Sequence, residues 1–161
     1  MAGALLLVGL AVTVAQAEKE VMAAEKKSFF ELLAKLETKG EFFTDEAVKR
    51  VLPHTHVLLA LTAKDIEKYD IYPFLALSSQ LAGHKEARAR AAKQFGAIAH
   101  PLLQLAWAIK LFETEESTAE IVKYLKKVVE SEKVSKVLDE MLGPKADDFK
   151  KRVKEAKVKE K

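Results

Sequence analysis

Between Phe95 and Phe112 the apolar residues Phe95, Ile98, Leu102, Leu105, Ile109 and Phe112 follow one another at steps of 3, 4, 3, 4 and 3. Only an α-helix brings that spacing onto one face, so the stretch predicts the central helix of a bundle. Pro101 stands inside the run. It removes an amide and clashes with the carbonyl of Ala97, which predicts a kink or break between Ala99 and Pro101.

The rest of the chain speaks the same dialect. Among 161 residues there are 6 Gly and 4 Pro, and 49% hydrophobic with 32% charged content is enough for a packed core. Phe29, Leu32, Leu33 and Leu36 form one stripe on a charged helix expected over Glu18 to Lys39, with Gly40 as its C′ residue. Thr44 reads as the cap of a helix ending near Leu52, before Pro53, and Thr62 with Asp65 has capping-box spacing. Ile71-Tyr72-Pro73 opens a helix that Gly83 closes. Ser117 to Glu120 has the capping-box pattern ahead of Ile121, Val122, Leu125, Val128 and Val129. Ser131 restarts a helix that Gly143-Pro144 stops. The fold expected is all-α, a single-domain bundle of five to seven helices, with HEAT-like stacked helix pairs as the alternative.

The two ends differ from the body. "ALLLVGLAVTV", residues 4–14, is an apolar run followed by Ala15-Gln16-Ala17 and the charged Glu18-Lys19-Glu20. A short apolar core followed by small residues at alternate positions is the pattern of a secretory signal cut after Ala17, although no basic residue precedes it. As a membrane anchor, residues 1–17 are at the lower limit of what spans about 30 Å of hydrocarbon. A buried core helix is the third reading. Residues 145–161 hold eight Lys/Arg against four Asp/Glu, a net of +4 that leaves the first 144 residues at −1. With only Phe149 and Val153 to bury, this basic segment reads as a frayed helix or solubilising tail. The chain thus divides into a signal or anchor at 1–17, a helical domain at 18–144 and a tail at 145–161.

The absence of cysteine excludes disulfides, thiolate metal sites, covalent c-type haem and a cysteine nucleophile. His54 and His56 lie about 200° apart on a helix, and no two histidines stand at i, i+4, so a metal site lacks its usual helical spacing. His56 and His100 are the residues that could meet across a bundle as axial ligands of a b-type haem. The simpler reading of His100 is a core histidine whose ring N–H bonds a carbonyl freed by Pro101. Lys85, Arg88, Arg90 and Lys93 form a basic stretch able to meet an anion or a partner, but Glu86 stands at i, i+4 from Arg90 and no aromatic residues interleave to stack bases. Nucleic acid is therefore not the expected partner. No glycine-rich phosphate loop or Gly-x-Ser-x-Gly elbow is present.

These features lead to a non-catalytic, exported or membrane-tethered helical protein that acts through contact with a protein partner or a second copy, as an accessory or scaffold subunit without a cofactor. Two alternatives remain open: a haem- or metal-binding bundle using His56 and His100, and a cytosolic module that binds an anionic ligand.

Overall fold

The computed structural model describes the backbone of residues 2–158 and the side chains of residues 13–158. Helix α1 (Ala2–Ala34) leads into a hairpin of β1 (Thr38–Lys39) and β2 (Phe42–Phe43). Three short helices follow, α2 (Asp45–Val51), α3 (Thr55–Ala60) and α4 (Ala63–Ile66), then α5 (Tyr72–Leu81) and α6 (Lys85–Lys93). The chain closes with α7 (Pro101–Phe112), α8 (Ala119–Glu130), α9 (Glu132–Leu142) and α10 (Ala146–Glu155). The architecture is an all-α, single-domain bundle. Among the described residues its helices outnumber the five to seven expected, because Pro53 and the Thr62 cap cut residues 45–66 into three pieces.

Helix α7 is the axis of the fold. It packs on α5, α6 and α8. Leu103, Leu105, Trp107, Ala108 and Leu111 are buried, and only Pro101 and Lys110 of the helix are exposed. A helix with so wide an apolar face must be walled around most of its circumference. The predicted break falls where Pro101 demands it: a 3₁₀ turn at Phe95–Ala97 and an extended link separate α6 from α7, and the amide of Ala99 donates to the carbonyl of Leu59 at 3.2 Å. The predicted seam is corrected by the same break. Phe95 and Ile98 belong to the link, and Leu102, Ile109 and Phe112 are half-buried flanks beside the more deeply buried Leu103, Trp107 and Leu111.

Local capping chemistry sets most boundaries. The hydroxyls of Thr44 and Ser131 accept from the amides of Ala47 and Val134, and Thr62 with Asp65 forms the reciprocal capping box. The cap of α8 is Thr118, one residue beyond the Ser117 expected, and it accepts from the amide of Ile121. Helix α1 ends at Ala34 and not at Lys39. Gly40, with φ of +62°, is the first residue of the two-residue turn between β1 and β2, a position that hairpins reserve for positive φ. The side-chain amide of Gln80 on α5 then completes the hairpin's edge, accepting from the Phe43 amide at 3.0 Å and donating to its carbonyl at 2.8 Å.

The C-terminal segment departs furthest from expectation. Residues 146–155 form α10, which packs on α8 and α9 with Phe149 4% and Val153 0% exposed. Phe149 meets Phe112 of α7 edge to face at 5.5 Å, and Arg152 pairs with Glu113. Two large apolar residues, with the small Ala146 buried beside them, suffice because they are spaced i, i+4 and both enter the existing core. Phe149→Ala should therefore cost about 3 kcal/mol in urea denaturation. A cost below about 0.5 kcal/mol would mean that the segment frays in solution.

Candidate functional site

His56 and His100 occupy two separate joints. His56 on α3 faces α1, with Nε2 3.0 Å from Glu25 Oε2, and its buried Nδ1 has no partner among the described residues. One residue along α1, Lys26 meets Asp65 of the α4 capping box at 2.7 Å. Burial pushes the Asp65 carboxyl up, but hydrogen bonds from Lys26 and Thr62, together with the Lys26 charge, hold it below the usual carboxylate range. Phe30 stacks on Tyr69 at 5.0 Å beside Phe74, while Phe29 is buried in the core. These contacts clamp the C-terminal third of α1 to the domain.

His100 is the N-cap of α7. Its Nδ1 accepts from the Leu102 amide at 3.1 Å, whereas the sequence suggests a ring N–H donating to a carbonyl. The reason is that Pro101 lacks an amide, so the first donor in need of a partner is that of Leu102. Neither His56 nor His100 lines either of the two cavities described below, and the two rings serve different joints. Among the described residues no group of three or more histidines and carboxylates is placed to hold a metal ion.

The basic stretch on α6 is divided. Arg88 joins three elements: its Nη1 donates to the carbonyl of Ala82 at the end of α5 at 3.0 Å, and its Nε reaches Glu116 in the α7–α8 link at 3.1 Å. Burial raises the Glu116 carboxyl, but the hydrogen bonds from Arg88, Thr114 and its own amide, with the Arg88 charge, hold it below its usual value. Lys85 lies 3.7 Å from Glu115 in an exposed pair. Arg90 and Lys93 are exposed, and among the described residues Arg90 forms no ion pair with Glu86. The four cations are thus divided: Arg88 is drawn in by Ala82 and Glu116, Lys85 forms an exposed pair with the same acidic link, and Arg90 and Lys93 face solvent.

The feature that sequence reasoning missed is a groove of about 490 Å³ between the Phe95–Ala97 turn, α7 and α8. Phe95, Gln104, Glu120, Lys123, Tyr124 and Lys127 line it. Phe95 and Tyr124 meet edge to face at 5.1 Å, and the Gln104 amide is held by its bond to the Phe95 carbonyl at 3.1 Å. Burial pushes the Tyr124 phenol up. Gly96 permits a close approach: a Cβ there would lie 2.7 Å from Glu120 Oε1. The available sequence signal was Tyr124 between Lys123 and Lys127 on a helix whose other face is aliphatic, but its aromatic partner comes from another element. A second cavity, about 370 Å³, is lined by Lys19, Met22, Ala23, Lys26 and Asp65 at the α1 joint. Comparison with known proteins finds no matching family model, no similar curated protein and no similar solved structure.

Burial holds the His100 ring below its ordinary value near 6.5. As pH falls, the unfolded chain takes up this proton before the folded one, so the cap's contribution is complete above that value and lost on acidification through the lower folded value. His100→Asn keeps an acceptor at the cap and removes the titration. Between about pH 7 and about pH 5 the urea midpoint of the parent should fall more steeply than that of the variant, with stabilities at neutral pH within about 0.5 kcal/mol. Parallel slopes would show that the ring does not cap α7 in solution.

Proposed function

We propose that this chain is a non-catalytic helical module, exported or tethered to a membrane through its first helix, that works as an accessory or scaffold subunit by contact with a partner. The observation that carries the reading is the way α1 meets the domain. Its first buried residue among those described is Phe29, and residues 13–21 are exposed, with Val14 at 55% and Val21 at 58%. The helix nonetheless continues to Ala2 as one element. Most of the apolar run at residues 4–14, and the signal or anchor reading with it, falls on residues whose side chains lie outside those described. Among the described residues no helix is long and apolar enough to cross a membrane.

The run itself supplies the physical argument. Moving its seven large apolar side chains from water into hydrocarbon is worth on the order of 10 kcal/mol. A helix that leaves the domain and ends in such a run is suited to deliver it to a bilayer or a translocation channel, with Glu18, Lys19 and Glu20 at the polar boundary. The non-catalytic part of the reading draws on what the shifted titratable groups do. Asp65 and His100 cap helices, Glu116 anchors Arg88, and Tyr124 packs edge to face on Phe95. No hydroxyl is hydrogen-bonded to a histidine among the described residues.

Intact mass and N-terminal sequencing of the protein from its own cells, after separation of soluble and membrane fractions, test the reading. A chain beginning at Glu18 in the soluble extracytoplasmic fraction, or a full-length chain in the membrane fraction, is expected. A full-length chain in the soluble cytosolic fraction would overturn it.

A further inference from the structure

We infer that the groove between Phe95, Gln104 and α8 is a binding site for a small organic anion with an aromatic body, its ring lying against Tyr124 and its negative group held between Lys123 and Lys127. The argument starts from charge. Lys123 and Lys127 stand at i, i+4 on α8, so both ammonium groups lie on one face of the helix and repel each other. Neither forms an ion pair with any described residue. Two carboxylates of α8 stand three residues from them, Glu130 beyond Lys127 and Glu120 before Lys123; neither forms an ion pair with a described lysine, and Glu120 also lines the groove. It is instead turned to the backbone of Gly96, where the missing side chain gives it room. Two cations without an ion-pair partner among the described residues therefore flank the groove, its carboxylate lies beside Gly96, and an anion placed between them relieves their repulsion.

Shape supplies the other half. The volume of about 490 Å³ falls within the range that takes small molecules. Phe95 is buried and holds the half-buried Tyr124 edge to face, so the part of the Tyr124 ring that faces the groove is fixed and can meet a flat aromatic group in the offset or T-shaped contacts that such rings prefer. Gln104 is fixed by the Phe95 carbonyl, so this wall is positioned before any ligand arrives. Sulfonates and carboxylates share the required chemistry; a carboxylate is the natural choice at neutral pH.

Titration calorimetry of the full-length chain with 2-naphthoate tests the assignment, with 2-naphthamide as the uncharged control. One saturable site with a dissociation constant near 0.1 mM is expected, with the amide at least about tenfold weaker. The double variant Lys123→Gln/Lys127→Gln replaces two solvent-facing side chains, so it should fold as the parent does by circular dichroism and weaken naphthoate binding about tenfold while leaving the amide unchanged. Glu120→Gln should tighten naphthoate binding about threefold, a direction that a merely structural role for Glu120 would not produce. Failure to saturate below about 5 mM, equal affinity for acid and amide, or unchanged binding in the lysine variant would each overturn the assignment. None of these outcomes depends on how α1 is processed or where the chain resides, so the site and the tether stand or fall separately.

Discussion

The structure depends on the burial of α7. Placing Leu103, Leu105, Trp107, Ala108 and Leu111 out of water is worth on the order of 10 kcal/mol, comparable with the whole net stability of a domain this size. That gain requires neighbours around most of the helix. Helices α5, α6 and α8 supply them directly, and α9 and α10 close over α8. The exposed Pro101 has no amide to offer, so Leu102 is the first residue of the helix whose amide needs an acceptor, and for this reason the residue before Pro101 matters. The His100 ring satisfies Leu102, and the carbonyl of His100 accepts from Gln104.

Around this axis the polar groups act chiefly as joints. Arg88 ends α5 and holds the α7–α8 link, Gln80 pairs with the hairpin edge, and Lys26 draws α1 onto the α4 cap. Each ties the end of one element to the flank of another. Each also occupies a charged or amide side chain that, read alone, looks available for a ligand. The groove beside Tyr124 is the counterexample, because there the carboxylate and the two ammonium groups stand near one another without closing into pairs.

What was legible in the sequence was local. The all-α class, the break at Pro101, the stop before Pro53 and the caps at Thr44, Thr62 and Ser131 all follow from interactions spanning four residues or fewer. The failures were of longer range. The two-residue strands of the hairpin are too short to carry a period, and their pairing is completed by Gln80, 37 residues away. Helix α10 offers two large apolar residues, too few to recommend it until Phe112 and α8 are seen opposite them. The seam of α7 was read one face away from its centre, because Phe95 and Ile98 shared the spacing without sharing the helix. At the candidate sites, His56 and Arg88 find their carboxylates 31 and 28 residues away, and the groove joins three elements, so residue type alone could not foretell which cations remain free.

Helix α1 has a mechanical meaning beyond its chemistry. Thirty-three residues of continuous helix measure about 50 Å and resist bending, whereas a flexible linker of the same number would fluctuate about a mean span near 30 Å. With Phe29, Phe30, Glu25 and Lys26 seated on the domain, the far end cannot swivel freely about the near one. Anything that grips residues near Ala2 therefore holds the domain at a set stand-off and in a set orientation. Its effective concentration becomes high at one distance and low at others, so the helix works as a ruler and not as a leash.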